Sequence, residues 1–270
     1  MAISLAGRTV IITGAAQDVG RVMAQRFLDA GARVMLADWD EKALAGAKAA
    51  MEGDEDRLAR FHYVAQDRLS VANLIAATVE RFGRIDSLVN GAQTISAPGA
   101  FLDLGTEQFD AAFGSNVRSV FQLSQAVARR MIAQAGDAGA EERTAGAIVN
   151  ISSIAAIRTV PELLTFSVSC AALDQLTRSM AASLAPHGIR VNGIALGGIL
   201  TDRLRAAFRD NEALREDMIR ATPLGRLADI EEAAEAALFA ASDHASYITG
   251  QVIAVDGGRT LLDPLASPVR

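Results

Sequence analysis

Short apolar runs alternate along this chain with longer stretches whose apolar positions recur every three or four residues. The short runs predict strands and the longer stretches predict helices, and their regular alternation is the signature of βαβ units. Strands are expected at Thr9–Thr13, Arg33–Ala37, Phe61–Ala65, Ser87–Asn90, Ala147–Ser152, Arg190–Leu196 and Val252–Val255. The periodicity predicts helices over Gly20–Ala30, closed by Gly31, over Glu41–Met51 and Val71–Phe82, within Thr106–Ala133, and over Phe166–Ala185. The expected architecture is α/β, a doubly wound domain with a parallel sheet of about seven strands, helices on both faces and right-handed crossovers.

Composition narrows the partners more than the fold. With 270 residues, 50% of them hydrophobic and 21% charged, the chain has material for one large core, and a single domain over residues 1–270 is expected. The formal charge of -6 supplies no basic field for nucleic acid, and no polybasic block is present for anionic lipid. No apolar run approaches the roughly 18 residues of a membrane span. Residues 1–8 lack the pattern of a secretory signal, so the expected compartment is the cytoplasm. Cys170 has no second cysteine to pair with, and His62, His187 and His244 are scattered, so no metal site is expected. The polar, glycine-rich stretch Gln134–Gly146 predicts a surface loop. The tail after Gly258, with Pro264 and Pro268, is expected on a neighbouring subunit.

The candidate chemistry begins at the first strand–helix junction. Thr13-Gly14-Ala15-Ala16-Gln17-Asp18-Val19-Gly20 is a glycine-containing turn where backbone N–H groups and a helix N-terminus can hold a pyrophosphate. Asp38, at the end of the second strand and 18 residues past Gly20, suits a carboxylate that accepts hydrogen bonds from an adenosine ribose. It favours NAD over its 2′-phosphorylated relative, since two anions would otherwise meet.

With these residues in place, the chain resembles the short-chain dehydrogenase/reductase family from about residue 5 to 258, which implies a Rossmann-type domain. The family turn T-G-x-x-x-G-x-G is matched by Thr13, Gly14 and Gly20, but Asp18 stands at the middle glycine. A carboxylate about 5 Å from a phosphate would cost about 3 kcal/mol at an effective dielectric near 20; alternatively Asp18 points away and caps the helix. The resemblance implies further cofactor contacts at Asp67, Asn90 and Thr201. Asn90-Gly91-Ala92-Gln93 stands for the family's N-N-A-G, with Gln93 at a glycine near the cofactor, and Leu196-Gly197 stands for its P-G.

The family's catalytic set is Asn, Ser and a Y-x-x-x-K pair. Asn116 and Ser153 match the first two, whereas Phe166 and Cys170 hold the Tyr and Lys positions, with Ser153 lying 13 residues before Phe166. Both remnants have plain structural alternatives: Asn116 bonding backbone at a helix irregularity, Ser153 capping the turn after its strand. A positioned acid or base contributes about 10²–10⁴-fold, which phenylalanine cannot supply. A thiolate at Cys170 would have the wrong sign for an ammonium. Tyr63 and Tyr247 fall in segments the family places away from the substrate; Ser153, Glu162 and water remain as replacement donors. The resemblance therefore implies an oxidoreductase homologue impaired in hydride transfer, serving as a non-catalytic subunit of a homo- or hetero-oligomer with an active paralogue, its contacts made through the two long helices. The alternatives are an NAD(H)-dependent dehydrogenase with a non-standard proton donor, and a sensing module that binds without turnover. Gly197–Pro223 is expected as a helical lid whose apolar content suits a non-polar or acyl ligand.

Overall fold

The computed structural model describes residues 2–51, 55–95, 98–138 and 145–262. Their strands are β1 (Thr9–Thr13), β2 (Arg33–Asp38), β3 (Leu58–His62), β4 (Ser87–Asn90), β5 (Gly146–Ser153), β6 (Ile189–Leu196) and β7 (Val252–Val255). They form one parallel sheet in the order β3-β2-β1-β4-β5-β6-β7. The order reverses direction between β1 and β4, and the carboxyl ends of strands at such a switch point border a crevice. The helices are α1 (Asp18–Asp29), α2 (Glu41–Ala50), α3 (Arg68–Phe82), α4 (Thr106–Phe113), α5 (Ser119–Ala138), α6 (Leu164–Leu184), α7 (Asp202–Asp210), α8 (Glu212–Arg220) and α9 (Ile230–Ala241).

Side-chain alternation divides the core into two layers. Val10, Ile12, Val34, Leu36, Val149 and Ile194 point to the face where Phe27 and Met23 of α1 and Leu238 of α9 pack. Ile11, Met35, Leu88, Ile148 and Val191 point to the face covered by Leu74 of α3, Leu123, Val127 and Met131 of α5, and Ala181 of α6. The central strands are buried on both faces, which is why they read as continuous apolar runs.

Four departures from the sequence reading have physical causes. β3 pairs from Leu58↔Val34 to His62↔Asp38, three residues earlier than expected; as an edge strand it turns Arg60 and His62 outward, which masked its apolar pattern. The region Thr106–Ala133, expected to contain a long helix, holds α4 and most of α5, joined by a wide turn at Gly114–Arg118, of the i→i+5 type found at functional sites. The expected loop at Gln134–Gly146 begins five residues late, because α5 runs to Ala138. Gln134 anchors that end by donating to Ile85 O (2.8 Å) and accepting from Ile85 N (3.0 Å), while residues 139–144 of the loop lie outside the described residues. α9 has no counterpart in the sequence reading: its buried face is built mostly of alanine, a weak apolar signal, opposite the exposed Glu231, Glu232 and Glu235. The expected lid is α7 and α8, and of the tail only Arg259–Leu262 is described.

Candidate functional site

The crevice at the carboxyl ends of β1, β2, β4 and β5 gathers most of the residues singled out in the sequence. Gly14 has φ +68, and a Cβ there would lie 2.8 Å from Ala92 Cα; a Cβ on Gly20 would lie 2.1 Å from Gly14 O. Both glycines are required by close backbone approach between the β1 turn, the segment after β4 and the start of α1. Thr13 fastens the same junction, its Oγ1 accepting from Gly91 N (3.2 Å) and Ala92 N (3.4 Å).

Asp18 is the first residue of α1, and the cap position before it is held by Gln17, whose side chain makes no capping hydrogen bond. Asp18 is therefore not the helix cap. Its carboxylate sits in the first turn, where it complements the positive end of the helix dipole. Asp38 is buried and holds the glycine turn: Oδ2 accepts from Ala16 N and Oδ1 from Asp40 N, each at 3.1 Å. Beside it Trp39 is 68% exposed, and its carbonyl is bonded by the His62 ring at 2.8 Å.

Several other candidates have structural engagements. Asp67 caps α3 by accepting from Leu69 N (2.9 Å), and Thr201 caps α7 by accepting from Leu204 N (3.2 Å). The Asn90 amide turns into the protein, donating to Ser124 Oγ (3.1 Å) and Asn150 Oδ1 (2.8 Å), and Asn150 in turn donates to Thr177 Oγ1 (2.8 Å). Gln93 reaches from the end of β4 across to β5, where Nε2 donates to Ile151 O at 2.7 Å.

The next corner lies between the end of β5 and the first turns of α6. Asn116, in the wide turn before α5, accepts from Thr94 N (2.8 Å) and donates to Thr94 O (2.9 Å) and Ser169 Oγ (3.0 Å). Ser153 accepts from Ala155 N (3.2 Å) and contacts Leu196 O (3.4 Å). Phe166 and Cys170 pack with Ala155 into a small apolar knot flanked by Ala156 and Leu163. Burial pushes the Cys170 thiol up to about 12 and the Asp174 carboxylate adds to the rise, with Ser153 N–H and the Ser152 hydroxyl opposing it in part. At neutral pH this thiol is neither a cation nor a nucleophile. Asp174, one turn further along α6, is raised by its own burial, against the Ser152 hydroxyl and Arg178. By strict geometry neither Asp174 Oδ1 nor Ser152 Oγ makes a hydrogen bond, although the hydroxyl lies near enough to both acids to lower them. Tyr63 is buried and raised by desolvation, Tyr247 is fully exposed between β6 and β7, and Glu162 is exposed on the turn before α6. Neither tyrosine belongs to the knot.

A family model described as enoyl-(acyl carrier protein) reductase matches residues 14–260. Short-chain dehydrogenase reductase 3a of Arabidopsis thaliana is 34% identical over 265 residues, 97% of this chain and 98% of that protein. The 3-oxoacyl-[acyl-carrier-protein] reductase FabG of Thermotoga maritima is 34% identical over 257 residues, 94% and 98% of the two chains. Among solved structures, a short-chain type dehydrogenase/reductase from Mycobacterium ulcerans superposes with a TM-score of 0.88 at 31% identity, covering 96% of this chain and 91% of its own. The chain belongs to the short-chain dehydrogenase/reductase family. A 7α-hydroxysteroid dehydrogenase of the same fold, determined with NADH and 7-oxo glycochenodeoxycholic acid, has a TM-score of 0.85 at 33% identity over 95% of both chains.

Within this member of the dehydrogenase/reductase family, sequence reasoning missed Ser169, Ser152 and Asp174. Ser169 carries the link from Asn116 to the Phe166 carbonyl (2.8 Å); its spacing of three from Phe166 on a helix was the available signal. Asp174, four residues after Cys170, was legible in the same way. The burial of Ser152 followed from its place on a central strand covered on both faces; that its hydroxyl would lack a well-aligned partner did not.

Proposed function

We propose that this chain, as one domain over residues 1–270, is a non-catalytic member of the dehydrogenase/reductase family, acting in the cytoplasm as a structural or regulatory subunit of an oligomer with an active homologue. The observation that carries the reading is the apolar knot of Phe166, Cys170 and Ala155 at the corner where the resemblance assigns proton exchange. A benzene ring has no proton to give, and a thiol held up to about 12 provides no charge to lower a neighbour's pKa. The structural engagement of Asn116 and Ser153 supports the same view, since each has its hydrogen bonds without a ligand. Phe121 on α5 and Val168 on α6 are 45% and 40% exposed, which suits assembly through these two helices.

The cofactor that the family implies is a nicotinamide dinucleotide, which when bound supplies or accepts hydride. The residues present fit one half of it. Asp38 and the Thr13–Gly20 turn suit an adenosine ribose and favour NAD, whereas Gln93 and Asp18 oppose the remainder.

A second reading, an NAD(H)-dependent dehydrogenase with a non-standard donor such as Ser153 or Glu162, is favoured by the reductase names of the relatives. The test separates the two. Purified wild-type chain is assayed with NADH or NAD against a panel of ketones and alcohols, beside Phe166→Tyr/Cys170→Lys. No turnover by the wild type with a gain in the double variant is expected; wild-type turnover that an Asn116→Ala or Ser153→Ala change abolishes would establish the second reading. Native purification should in addition bring down a homologous chain.

A further inference from the structure

At the end of the sheet opposite the crevice, where β1, β2 and β3 begin and α1 and α3 finish, the surface is hollowed into a cavity of about 550 Å³. Three arginines from separate parts of the chain line it: Arg33 at the start of β2, Arg57 just before β3 and Arg81 in the last turn of α3. Each has a modest structural task. Arg57 Nη1 donates to Leu28 O at 2.9 Å and Arg33 Nη1 to Phe82 O at 3.2 Å, so each closes one carbonyl at a helix end. Arg81 Nη2 donates to Glu55 O at 3.2 Å and to Asp56 Oδ1 at 3.3 Å. Its guanidinium stands 5.8 Å from the centroid of the Phe82 ring, within cation–π reach, so the buried ring fixes it over the cavity. A guanidinium carries five N–H donors, and these bonds use a minority of the donors that the three present.

The charge left over is positive. Among the described residues Asp56 is the only acid lining the cavity, and its side chain is 89% exposed, so its pairing with Arg81 is weak. The ends of α1 and α3 each contribute about half a negative charge. Against three guanidinium groups, that leaves about one unit of positive charge in a chain whose net charge is -6. The space also suits a ligand. Gly7 and Gly31 line the wall with bare backbone, and a Cβ added to Gly7 would meet nothing within 4 Å. The volume falls in the range of small-molecule sites, about 300–1,000 Å³, and exceeds what a single phosphate would fill. The planar fork of arginine matches paired phosphate oxygens, which a helix-capping point charge would not need.

We propose that this cavity is a second binding site, for a compact anion carrying two or more phosphate groups held between Arg33, Arg57 and Arg81. Such a ligand ties the start of β2, the approach to β3 and the end of α3 together, and so stabilises the fold by mass action. The site is at the far end of the strands from the crevice and stands whether or not the chain turns over a substrate.

The test titrates the full chain by calorimetry with inorganic pyrophosphate, orthophosphate and citrate, in a phosphate-free buffer at one ionic strength. Pyrophosphate should bind about tenfold or more tighter than orthophosphate or citrate, and should raise the melting temperature. Arg81→Ala, at a side chain 45% exposed, should weaken pyrophosphate by about tenfold. Arg33→Lys keeps the charge but loses the fork, and should weaken it by a similar factor. Should Arg33→Lys fail to fold by circular dichroism, Arg57→Lys takes its place. Arg129→Ala, at an exposed arginine on α5, should change nothing. Three results would each overturn the proposal: no pyrophosphate binding at millimolar concentration, citrate binding as tightly as pyrophosphate, or pyrophosphate affinity that survives both the Arg81 change and the lysine substitution. The last would put the anion elsewhere, with the Thr13–Gly20 turn the first place to look.

Discussion

The Asn116 side-chain amide donates to Ser169 Oγ at 3.0 Å, and Ser169 passes its own hydrogen to the Phe166 carbonyl at 2.8 Å. Together with the two bonds from Asn116 to the Thr94 backbone, this ties the segment after β4, the wide turn before α5 and the first turns of α6 into one unit. Asn116 and Ser169 are buried, whereas Thr94 is exposed. Asn116→Ala should therefore destabilise the fold by about 1–3 kcal/mol for each group left unsatisfied, read as a lower urea midpoint at unchanged slope. Ser169→Ala should lower it less, because Asn116 keeps its two bonds to Thr94. A chain that melts normally after Asn116→Ala would refute the structural role assigned here.

Gly20 has a sharper steric requirement than any polar residue at the site. An added Cβ would sit 2.1 Å from the Gly14 carbonyl oxygen, which belongs to backbone and cannot rotate away. Gly20→Ala should force the turn off the start of α1 at a cost of at least about 1–3 kcal/mol. The measurement is thermal denaturation. A melting temperature unchanged by Gly20→Ala would mean that the turn adapts without the clash the geometry demands.

Glu232 and Arg226 tie the approach to α9 to its first turn with two side-chain hydrogen bonds, at 2.6 and 2.7 Å. The Arg226 bond holds the Glu232 carboxyl down to about 2, from its ordinary 4.5. A carboxyl depressed in the folded state adds stability above its ordinary value, and that contribution is lost as pH falls from 4.5 toward about 2. Glu232→Gln should therefore lower the melting temperature slightly at pH 7 and not at all near pH 2. The pair is exposed, so the difference should also shrink in high salt. A pH-independent difference would attribute the effect to the helix cap alone.

The parallel sheet of about seven strands and its helical cover on both faces could be read from the chain because the central strands are continuous apolar runs, each with a helical pattern behind it. β3 and α9 were poorly legible for different reasons: β3 as an edge strand interrupts its apolar face with Arg60 and His62, and the buried face of α9 is built mostly of alanine, a weak apolar signal. At the site, sequence identified which residues stand near the strand ends but not what they already bond. Asp67, Thr201 and Asn90 are held by helix starts and a buried amide network, and such engagements depend on partners up to 60 positions away. Gln93 was legible as a bulky residue at a glycine position; that its amide would find Ile151 O was not.

Asp174 gives the knot a pH dependence of its own. Burial raises its carboxyl from the ordinary 3.8, against Ser152 and Arg178, and one oxygen has no hydrogen-bond partner. An acid whose folded pKa lies above its unfolded value binds more protons when folded. Its cost is absent below pH 3.8, grows as pH rises through the folded pKa, and is then constant. Asp174→Asn should therefore raise the melting temperature at pH 7, with the gain vanishing toward pH 3. Cys170 acts in the same direction at the alkaline end: its thiol is raised from 9.0 to about 12, so stability should fall as pH climbs above 9, and Cys170→Ala should flatten that limb. Melting curves of the wild type and both variants from pH 3 to pH 10 test the pair together. If Asp174→Asn is the less stable protein at pH 7, the carboxylate is a paired charge after all, and a lysine placed at position 170 would find its counter-ion waiting.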